Sequence, residues 1–291
     1  MKIKFWGVRG SVPSPGPSTA KIGGNTSCVE IRSGKDIFII DCGTGLRKLG
    51  EALIKEPPVK ARIFFSHVHW DHIQGFPFFA PAYIPGNEFH IFSLASSKHT
   101  LKSILEKQMS GPNFPVSFSV MNAKFIFNDI SAGEIINSND LKVTAAFINH
   151  PNNGLCFRFQ GKKGSVVYAS DTEHIEGQLD QNILSILHGA DYFIYDAQYS
   201  DEEYSGKVGF PRKRWGHSTW TEGIKLAKKA GVKHFILFHH DPAHDDEFLK
   251  KREQECRKAF PNSVVAYEGL EIDIDKHEKP VSIFDLEKKK S

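Results

Sequence analysis

Short apolar runs recur along the whole chain and alternate with longer segments of helical periodicity. The runs are rich in β-branched and aromatic residues and are bounded by Gly, Asp or Asn, which is typical of β-strands. They cover residues 2–6, 28–31, 37–40, 61–65, 90–92, 124–127, 141–148, 155–159, 166–168, 192–195, 234–238, 264–267 and 270–274. Helical spacing of apolar residues predicts helices over 45–54, 97–108, 178–187, 219–230 and 245–260. Strands interleaved with helices favour an α/β (α+β) protein, with two β-sheets flanked by helices, over an all-β sandwich.

The ends of the helix over 219–230 carry recognisable signals. Ser218 is expected to be its N-cap, and Gly231 is expected to end it. Neither an internal repeat nor a linker divides the chain, so residues 1–275 are predicted to form a single domain. The Lys-rich segment 276–291 is predicted to be a charged tail or a surface strap.

Composition narrows the class of protein. The 291 residues are 40% hydrophobic and 24% charged, enough for a sizeable core. The net charge of +3 favours a small substrate, because binding to long nucleic acid depends on neutralising many phosphates. No apolar run follows the first lysines and no window of the chain suits a membrane span, so a cytoplasmic location is expected. The four dispersed cysteines are expected to stay reduced.

The motif H-V-H-W-D-H at 67–72 carries the strongest chemical signal, and it follows directly on the strand over 61–65. His67 and His69 are two residues apart, so both imidazoles project from the same side of an extended backbone. Asp71 and His72 lie where the chain is predicted to turn into a helix. Imidazole suits zinc, manganese or iron, and carboxylates suit divalent hydrolytic ions. The cluster therefore predicts a metal site.

This motif resembles the H-x-H-x-D-H signature of the metallo-β-lactamase superfamily, whose members are hydrolases with a four-layer αββα sandwich. The resemblance extends to F-I-N-H-P-N-N-G, V-V-Y-A-S-D-T and F-I-L-F-H-H-D, which contain His150, Asp171 and His239. The implied ligands are His67, His69 and His150 for one metal ion and Asp71, His72 and His239 for a second, with Asp171 and a hydroxide shared by both. His240 stays open as the alternative to His239. The implied cofactors are two divalent ions, Zn²⁺ or Mn²⁺, with Fe as an alternative.

Three further segments resemble the ribonuclease Z-like branch, which includes cyclic-nucleotide phosphodiesterases: W-G-V-R-G-S, G-G-N-T-S-C-V-E-I and W-G-H-S-T. The resemblance implies that His217 assists the leaving group as a general acid, that Asp196 bonds to it, and that Asp71 belongs to the same catalytic set. The resemblance also implies that Asn25 approaches the phosphate through its amide. The residue types of the basic and aromatic loop over 207–215 (the basic loop) separately predict that Arg214 contacts a phosphate and that Trp215 stacks on a base.

One departure from the branch narrows the substrate. Ribonuclease Z that processes transfer RNA carries a long arm between the third histidine and the shared aspartate. Here residues 151–170 leave no room for it. We therefore expect a small phosphodiester, above all a cyclic nucleotide, rather than long nucleic acid or a membrane. The alternatives are a carbonyl hydrolase (a lactonase, thioesterase or β-lactamase) and a non-catalytic sensor. Analogy with relatives suggests a homodimer.

Overall fold

Two seven-stranded β-sheets face each other in the computed structural model, which describes residues 1–96 and 98–288. The strands are β1 (Lys2–Gly7), β2 (Cys28–Ser33), β3 (Asp36–Ile40), β4 (Lys60–Phe64), β5 (Glu88–Leu94), β6 (Lys124–Ile130), β7 (Ile135–Asn137), β8 (Lys142–Ile148), β9 (Gly154–Gln160), β10 (Ser165–Ala169), β11 (Tyr192–Asp196), β12 (His234–Phe238), β13 (Ser263–Val265) and β14 (Glu271–Asp273). The helices are α1 (Gly45–Leu53), α2 (Trp70–Ile73), α3 (Leu101–Gln108), α4 (Gln181–Leu187), α5 (Asp201–Ser205), α6 (Trp220–Ala230), α7 (Asp246–Ala259) and α8 (Ile283–Lys288).

Both sheets are mixed, and each contains a block of parallel strands. The first sheet has the order β14-β1-β2-β3-β4-β5-β6, and β3 to β6 run parallel. The second has the order β13-β12-β11-β10-β9-β8-β7, and β10 to β13 run parallel. Because parallel strands end along one edge of a sheet, the loops that follow β3, β4, β10, β11 and β12 can meet.

Aromatic side chains fill the space between the sheets. The Phe64 ring of β4 lies 5.4 Å from Phe157 and 5.6 Å from Phe159, both on β9 of the opposite sheet. On the outer face of the first sheet, Leu46 and Leu49 of α1 join a second apolar cluster. Helices α4, α6 and α7 pack on the second sheet. The predicted αββα sandwich is therefore confirmed, since each sheet has one face toward its partner and one toward helices.

The predicted elements agree with the observed ones except at a few points. The apolar pattern does not predict strand β7, none of whose three residues is buried, or the short helices α5 and α8. The prediction that Ser218 is the N-cap is wrong. Thr219 occupies that position, and the Ser218 hydroxyl accepts a hydrogen bond from Tyr195 at 3.0 Å. Gly231 ends the helix with a φ of 68°, as predicted. Ser97, the first residue of a predicted helix, lies outside the described residues.

The remaining predictions concern thiols, the C-terminal segment and membranes. The four cysteines are unpaired and buried, as predicted. Phe284 of α8 is only 5% exposed, and Arg257 contacts Asp285 at 2.8 Å, so the described part of the predicted tail packs on the sandwich. Residues 289–291 lie outside the described part, and the boundary at residue 275 stays a prediction. Within residues 1–96 and 98–288, none of the helices has the length and apolar character to cross a membrane.

Candidate metal centre

The candidate ligands lie just beyond the ends of strands that reach one edge of the sandwich. The H-V-H-W-D-H segment follows β4 and runs into α2, His150 follows β8, Asp171 follows β10 and His239 follows β12. Asp171 and His239 adopt left-handed backbone conformations, with φ of 56° and 60°. Such conformations cost a non-glycine residue about 1–3 kcal/mol and are frequent at functional sites. Here they occur where the chain leaves the ends of β10 and β12.

The first ligand group consists of His67, His69 and His150, whose ligand atoms lie within 4.8 Å of one another. His150 Nε2 is 3.0 Å from His69 Nδ1. Burial lowers the pKa of each of these imidazoles below its ordinary value. All three therefore stay neutral at neutral pH and offer lone pairs, as metal ligands must.

The second ligand group consists of Asp71, His72, Asp171 and His239, again with ligand atoms within 4.8 Å of one another. His239 Nε2 lies 3.1 Å from Asp71 Oδ2 and 3.3 Å from Asp171 Oδ2. Burial alone would raise the pKa of both carboxyl groups, but the neighbouring histidines lower it well below its ordinary value. Both groups are therefore ionised acceptors for a cation.

Asp171 belongs to the second ligand group and also faces the first. Its Oδ1 is 3.7 Å from His67 Nε2, and its Oδ2 is 3.1 Å from His72 Nε2. Both of these imidazole nitrogens are buried, and neither makes a hydrogen bond of normal geometry, although Asp171 Oδ2 lies within reach of His72 Nε2. A buried polar atom without a partner costs about 1–3 kcal/mol, so native proteins rarely leave one. Cations at the two groups would satisfy both nitrogens, and the donor set therefore fits two divalent metal ions.

Buried acceptors orient the histidines of both groups. His72 Nδ1 donates to Asp41 Oδ2 at 2.8 Å, and His67 Nδ1 contacts Ser66 Oγ at 3.1 Å. The Ser66 hydroxyl in turn donates to Asp41, which also accepts the Tyr168 hydroxyl at 2.8 Å. With Nδ1 engaged, Nε2 of each ring is directed at the metal position. Such outer partners fix the tautomer and the orientation of a ligand.

Segments that follow other strands supply equivalent partners for His150, His239 and Asp71. His150 Nδ1 donates to the Gly216 carbonyl at 2.9 Å, and His239 Nδ1 donates to Gln198 Oε1 at 2.8 Å. The backbone N–H of Ser11 donates to Asp71 Oδ2 at 2.7 Å. The sequence alone does not point to Gly216, Gln198 or Ser11. Among all the outer partners of the ligands, only Asp41 has a sequence signal, because it is an aspartate followed by C-G directly after an apolar strand.

His217 and Asp196 form a pair beside both ligand groups, and His217 is only 8% exposed. His217 Nδ1 donates to Asp196 Oδ2 at 2.9 Å, and its ring centroid lies 5.0 Å from that of His239. Burial alone would lower the pKa of His217, but the Asp196 carboxylate, with help from Asp171, raises it to about 9. The imidazole is therefore protonated at neutral pH in the metal-free protein.

The choice between His239 and His240 follows from the backbone. Because His239 turns away from β12, its ring enters the second ligand group. The His240 ring instead points into the protein and donates from Nε2 to the Ala266 carbonyl at 2.9 Å. His239 is therefore the residue placed to bind a metal.

The three expected substrate contacts have different surroundings. The Asn25 amide contacts both carboxylate oxygens of Glu268 at 3.0 Å, which gives it a structural partner. Trp215 is 52% exposed, and the Arg212 guanidinium lies 4.7 Å from its ring centroid. Arg214 adopts a φ of 69° on the exposed basic loop. Their contacts with a substrate stay predictions.

Comparison with known proteins identifies the family. The model of the β-lactamase superfamily domain matches residues 37–240. The chain belongs to this superfamily. Ribonuclease Z from Picrophilus torridus is 24% identical over 97% of this chain and 98% of its own. The predicted superfamily and the predicted class of protein, a hydrolytic enzyme, are confirmed.

Solved structures share the fold of this superfamily member. The metallo-β-lactamase fold protein YhfI from Bacillus subtilis has a TM-score of 0.68 at 19% identity, covering 93% of this chain and 98% of its own. The short form of human tRNase Z has a TM-score of 0.65 at 18% identity, covering 94% and 99%. At such identities these likenesses establish the αββα fold and leave the substrate open.

The outer partners generate a prediction for Asp41→Asn. Asparagine keeps the size of Asp41 but replaces one acceptor oxygen with a donor. His72 Nδ1, which donates to Oδ2, and the backbone N–H of Ser66, which donates to Oδ1, therefore cannot both be satisfied. We expect zinc affinity to fall by about 10- to 100-fold, the usual cost of losing such a partner. Competition with a chromophoric chelator measures it. Asp36→Asn is the control, because Asp36 lies at the start of β3, the strand that precedes Asp41, and contacts Arg62 there at 3.3 Å. Unchanged affinity in Asp41→Asn would contradict this role.

Proposed function

We propose that the chain is a dinuclear metal-dependent phosphodiesterase that hydrolyses a small phosphodiester, above all a cyclic nucleotide. The observation that carries this proposal is the buried pair of His217 and Asp196 beside the two ligand groups. Two divalent ions bound at those groups would supply an activated water at neutral pH and neutralise charge on the phosphate oxygens. The ligands would be His67, His69 and His150 on one side and Asp71, His72 and His239 on the other, with Asp171 between them.

The role proposed for His217 follows from its hydrogen bond. When a phosphodiester is hydrolysed, the bond from phosphorus to the leaving oxygen breaks, and an alkoxide needs a proton at that moment. His217 Nδ1 donates to Asp196, so Nε2 is the nitrogen that can give up a proton. The raised pKa of His217, about 9, keeps that proton in place. Bound cations would lower this pKa toward neutrality, which is the range that suits a general acid.

Two observations support a small substrate. Strands β9 and β10 pair directly from Ser165 with Gln160, so the interval between His150 and Asp171 is a hairpin and contains no inserted arm. The net charge of +3 gives little general attraction for a polyanion. RNA is the second candidate, because the curated relatives are named ribonuclease Z.

A carbonyl hydrolase and a non-catalytic sensor are the alternatives. A carbonyl hydrolase would use the same ligand groups. A thiolate leaves without a proton, so the protonated histidine argues against a thioesterase, whereas the alkoxide of a lactone and the nitrogen of a β-lactam need a proton as a phosphodiester's alkoxide does. The W-G-H-S-T segment, which contains His217, resembles the ribonuclease Z-like branch, and this resemblance favours a phosphodiester over a lactone or a β-lactam. A sensor would not require a complete set of ligands together with the pair of His217 and Asp196.

A substrate panel tests the proposal. Protein loaded with zinc or manganese would be incubated with cyclic mononucleotides, cyclic dinucleotides, a short RNA and a lactone, and product formation followed by chromatography. We expect the small cyclic diesters to give the highest kcat/KM. His69→Ala and Asp71→Ala proteins serve as blanks for contaminating enzymes. Preference for the RNA would favour the second candidate, and hydrolysis of the lactone alone would overturn the phosphodiesterase assignment.

The general-acid role of His217 predicts an effect that depends on the leaving group. In His217→Ala, kcat for a diester with an alkoxide leaving group should fall by about two to four orders of magnitude. Bis(p-nitrophenyl) phosphate should be much less affected, since p-nitrophenolate leaves without a proton. Metal content should stay unchanged. Equal losses on both substrates would show that His217 is not the proton donor.

A further inference from the structure

Glu173 is a carboxylate outside both ligand groups, and it contacts the chain just before His217. Its Oε1 accepts hydrogen bonds from the Tyr204 hydroxyl at 2.7 Å and from the backbone N–H of Arg214 at 2.6 Å. Its Oε2 accepts from the backbone N–H of Gly216 at 3.0 Å. Three donors therefore converge on one side chain, and two of them are main-chain groups of the segment 214–216.

The backbone of Glu173 is attached to a second part of the centre. Its N–H donates to the Asn149 carbonyl at 2.8 Å, and the Asn149 amide donates back to the Glu173 carbonyl at 2.9 Å. Asn149 directly precedes His150, and Asp171 lies two residues before Glu173. The intervening N–H of Thr172 donates to Asp196 at 3.2 Å. The short segment 171–173 thus contacts Asn149, Asp196 and, through Asp171, His239.

Gly216 is hydrogen-bonded both to Glu173 and to the candidate ligand His150. Its N–H is bound by Glu173, and its carbonyl accepts the Nδ1–H of His150. Its φ is 87°, and a Cβ atom at this position would lie 2.2 Å from His150 Nδ1, so only glycine allows this approach. His217 is the next residue. Moving the backbone of Gly216 would therefore displace both the candidate metal ligand His150 and the proposed proton donor His217.

The local backbone needs such a restraint. Arg214 and Gly216 both have positive φ, and this conformation is unfavourable for Arg214 because it is not glycine. Without the carboxylate, their two N–H groups would lose their acceptor, and the segment could relax toward ordinary backbone angles. The contacts with Glu173 are what offset that cost in the folded protein.

We propose that Glu173 is a positioning residue. It fixes the backbone of Gly216, so that the Gly216 carbonyl orients His150 for metal binding and His217 lies beside the two ligand groups. The part of this inference that concerns His217 rests on the proposed function. The part that concerns His150 does not, because it follows from the hydrogen bonds alone.

A matched control lies three residues further along the chain. Glu176 also contacts the basic loop, through Lys213 at 3.0 Å, but its side chain is 84% exposed. Exposed ion pairs contribute little, because water and salt screen them. Glu176→Gln therefore removes a carboxylate from the same region without touching the peptide at 216.

The test compares Glu173→Gln with Glu176→Gln by two readouts that do not need activity. In Glu173→Gln the single amide oxygen cannot accept from both N–H groups, so amide hydrogen exchange should become faster at Arg214, at Gly216 or at both. Zinc affinity, from chelator competition, should fall by about 10- to 100-fold. Glu176→Gln should match the wild type in both. Tyr204→Phe, which removes one donor only, should give smaller changes and serves if Glu173→Gln folds poorly by thermal unfolding.

Activity then separates the two roles. On a diester with an alkoxide leaving group, Glu173→Gln should lower kcat by about 10-fold or more with little change in KM. In the His217→Ala background, the same substitution should add far less, because residues that act through one another are not additive. Unchanged exchange and zinc affinity in Glu173→Gln, or full additivity with His217→Ala, would overturn the inference. Wild-type protein that hydrolyses no diester, with the exchange and zinc effects intact, would overturn the proposed function alone.

Discussion

The structure depends on one constraint: lone pairs and negative charges that converge in a buried place need cations. Nε2 of His67 and Nε2 of His72 are buried, make no hydrogen bond of normal geometry and lie on either side of Asp171. Leaving them so would cost free energy that is large relative to the small net stability of a folded protein. Two divalent ions bound at the ligand groups would resolve this conflict. The strand ends, the left-handed turns and the outer hydrogen bonds all serve to bring these atoms together.

The centre joins the two sheets, and neither sheet could form it alone. Asp41 follows a strand of the first sheet, yet it accepts the hydroxyl of Tyr168 from the second. Asp171, from the second sheet, lies against His72, which follows the first. The apolar packing between the sheets therefore fixes the distances between the ligand groups. Packed interiors deform little, so the ligand groups are held in place by the fold itself.

Most of the fold, and which candidate ligands lie together, can be predicted from the sequence, and the reasons are physical. Apolar runs mark strands, and histidines just beyond them fall at the sheet edge where such sites form. Local pattern could not decide between His239 and His240, because a single positive φ at His239 makes the choice. Asp41 and Glu173 are single acidic residues whose partners lie far along the chain, 127 residues away for Asp41 and Tyr168 and 41 for Glu173 and Arg214. Ser218 lies one residue before the N-cap of its helix, and its hydroxyl contacts Tyr195 instead of the helix backbone.

The most direct test of this account is a count and a location of bound metal. Protein purified without chelators would be analysed for its elements, and crystals would be examined by anomalous scattering at the absorption edge of the metal found. We expect two ions in each chain, one among His67, His69 and His150 and one among Asp71, His72 and His239, with Asp171 contacting both. Finding no ion at either group, in folded protein supplied with zinc and manganese, would contradict it.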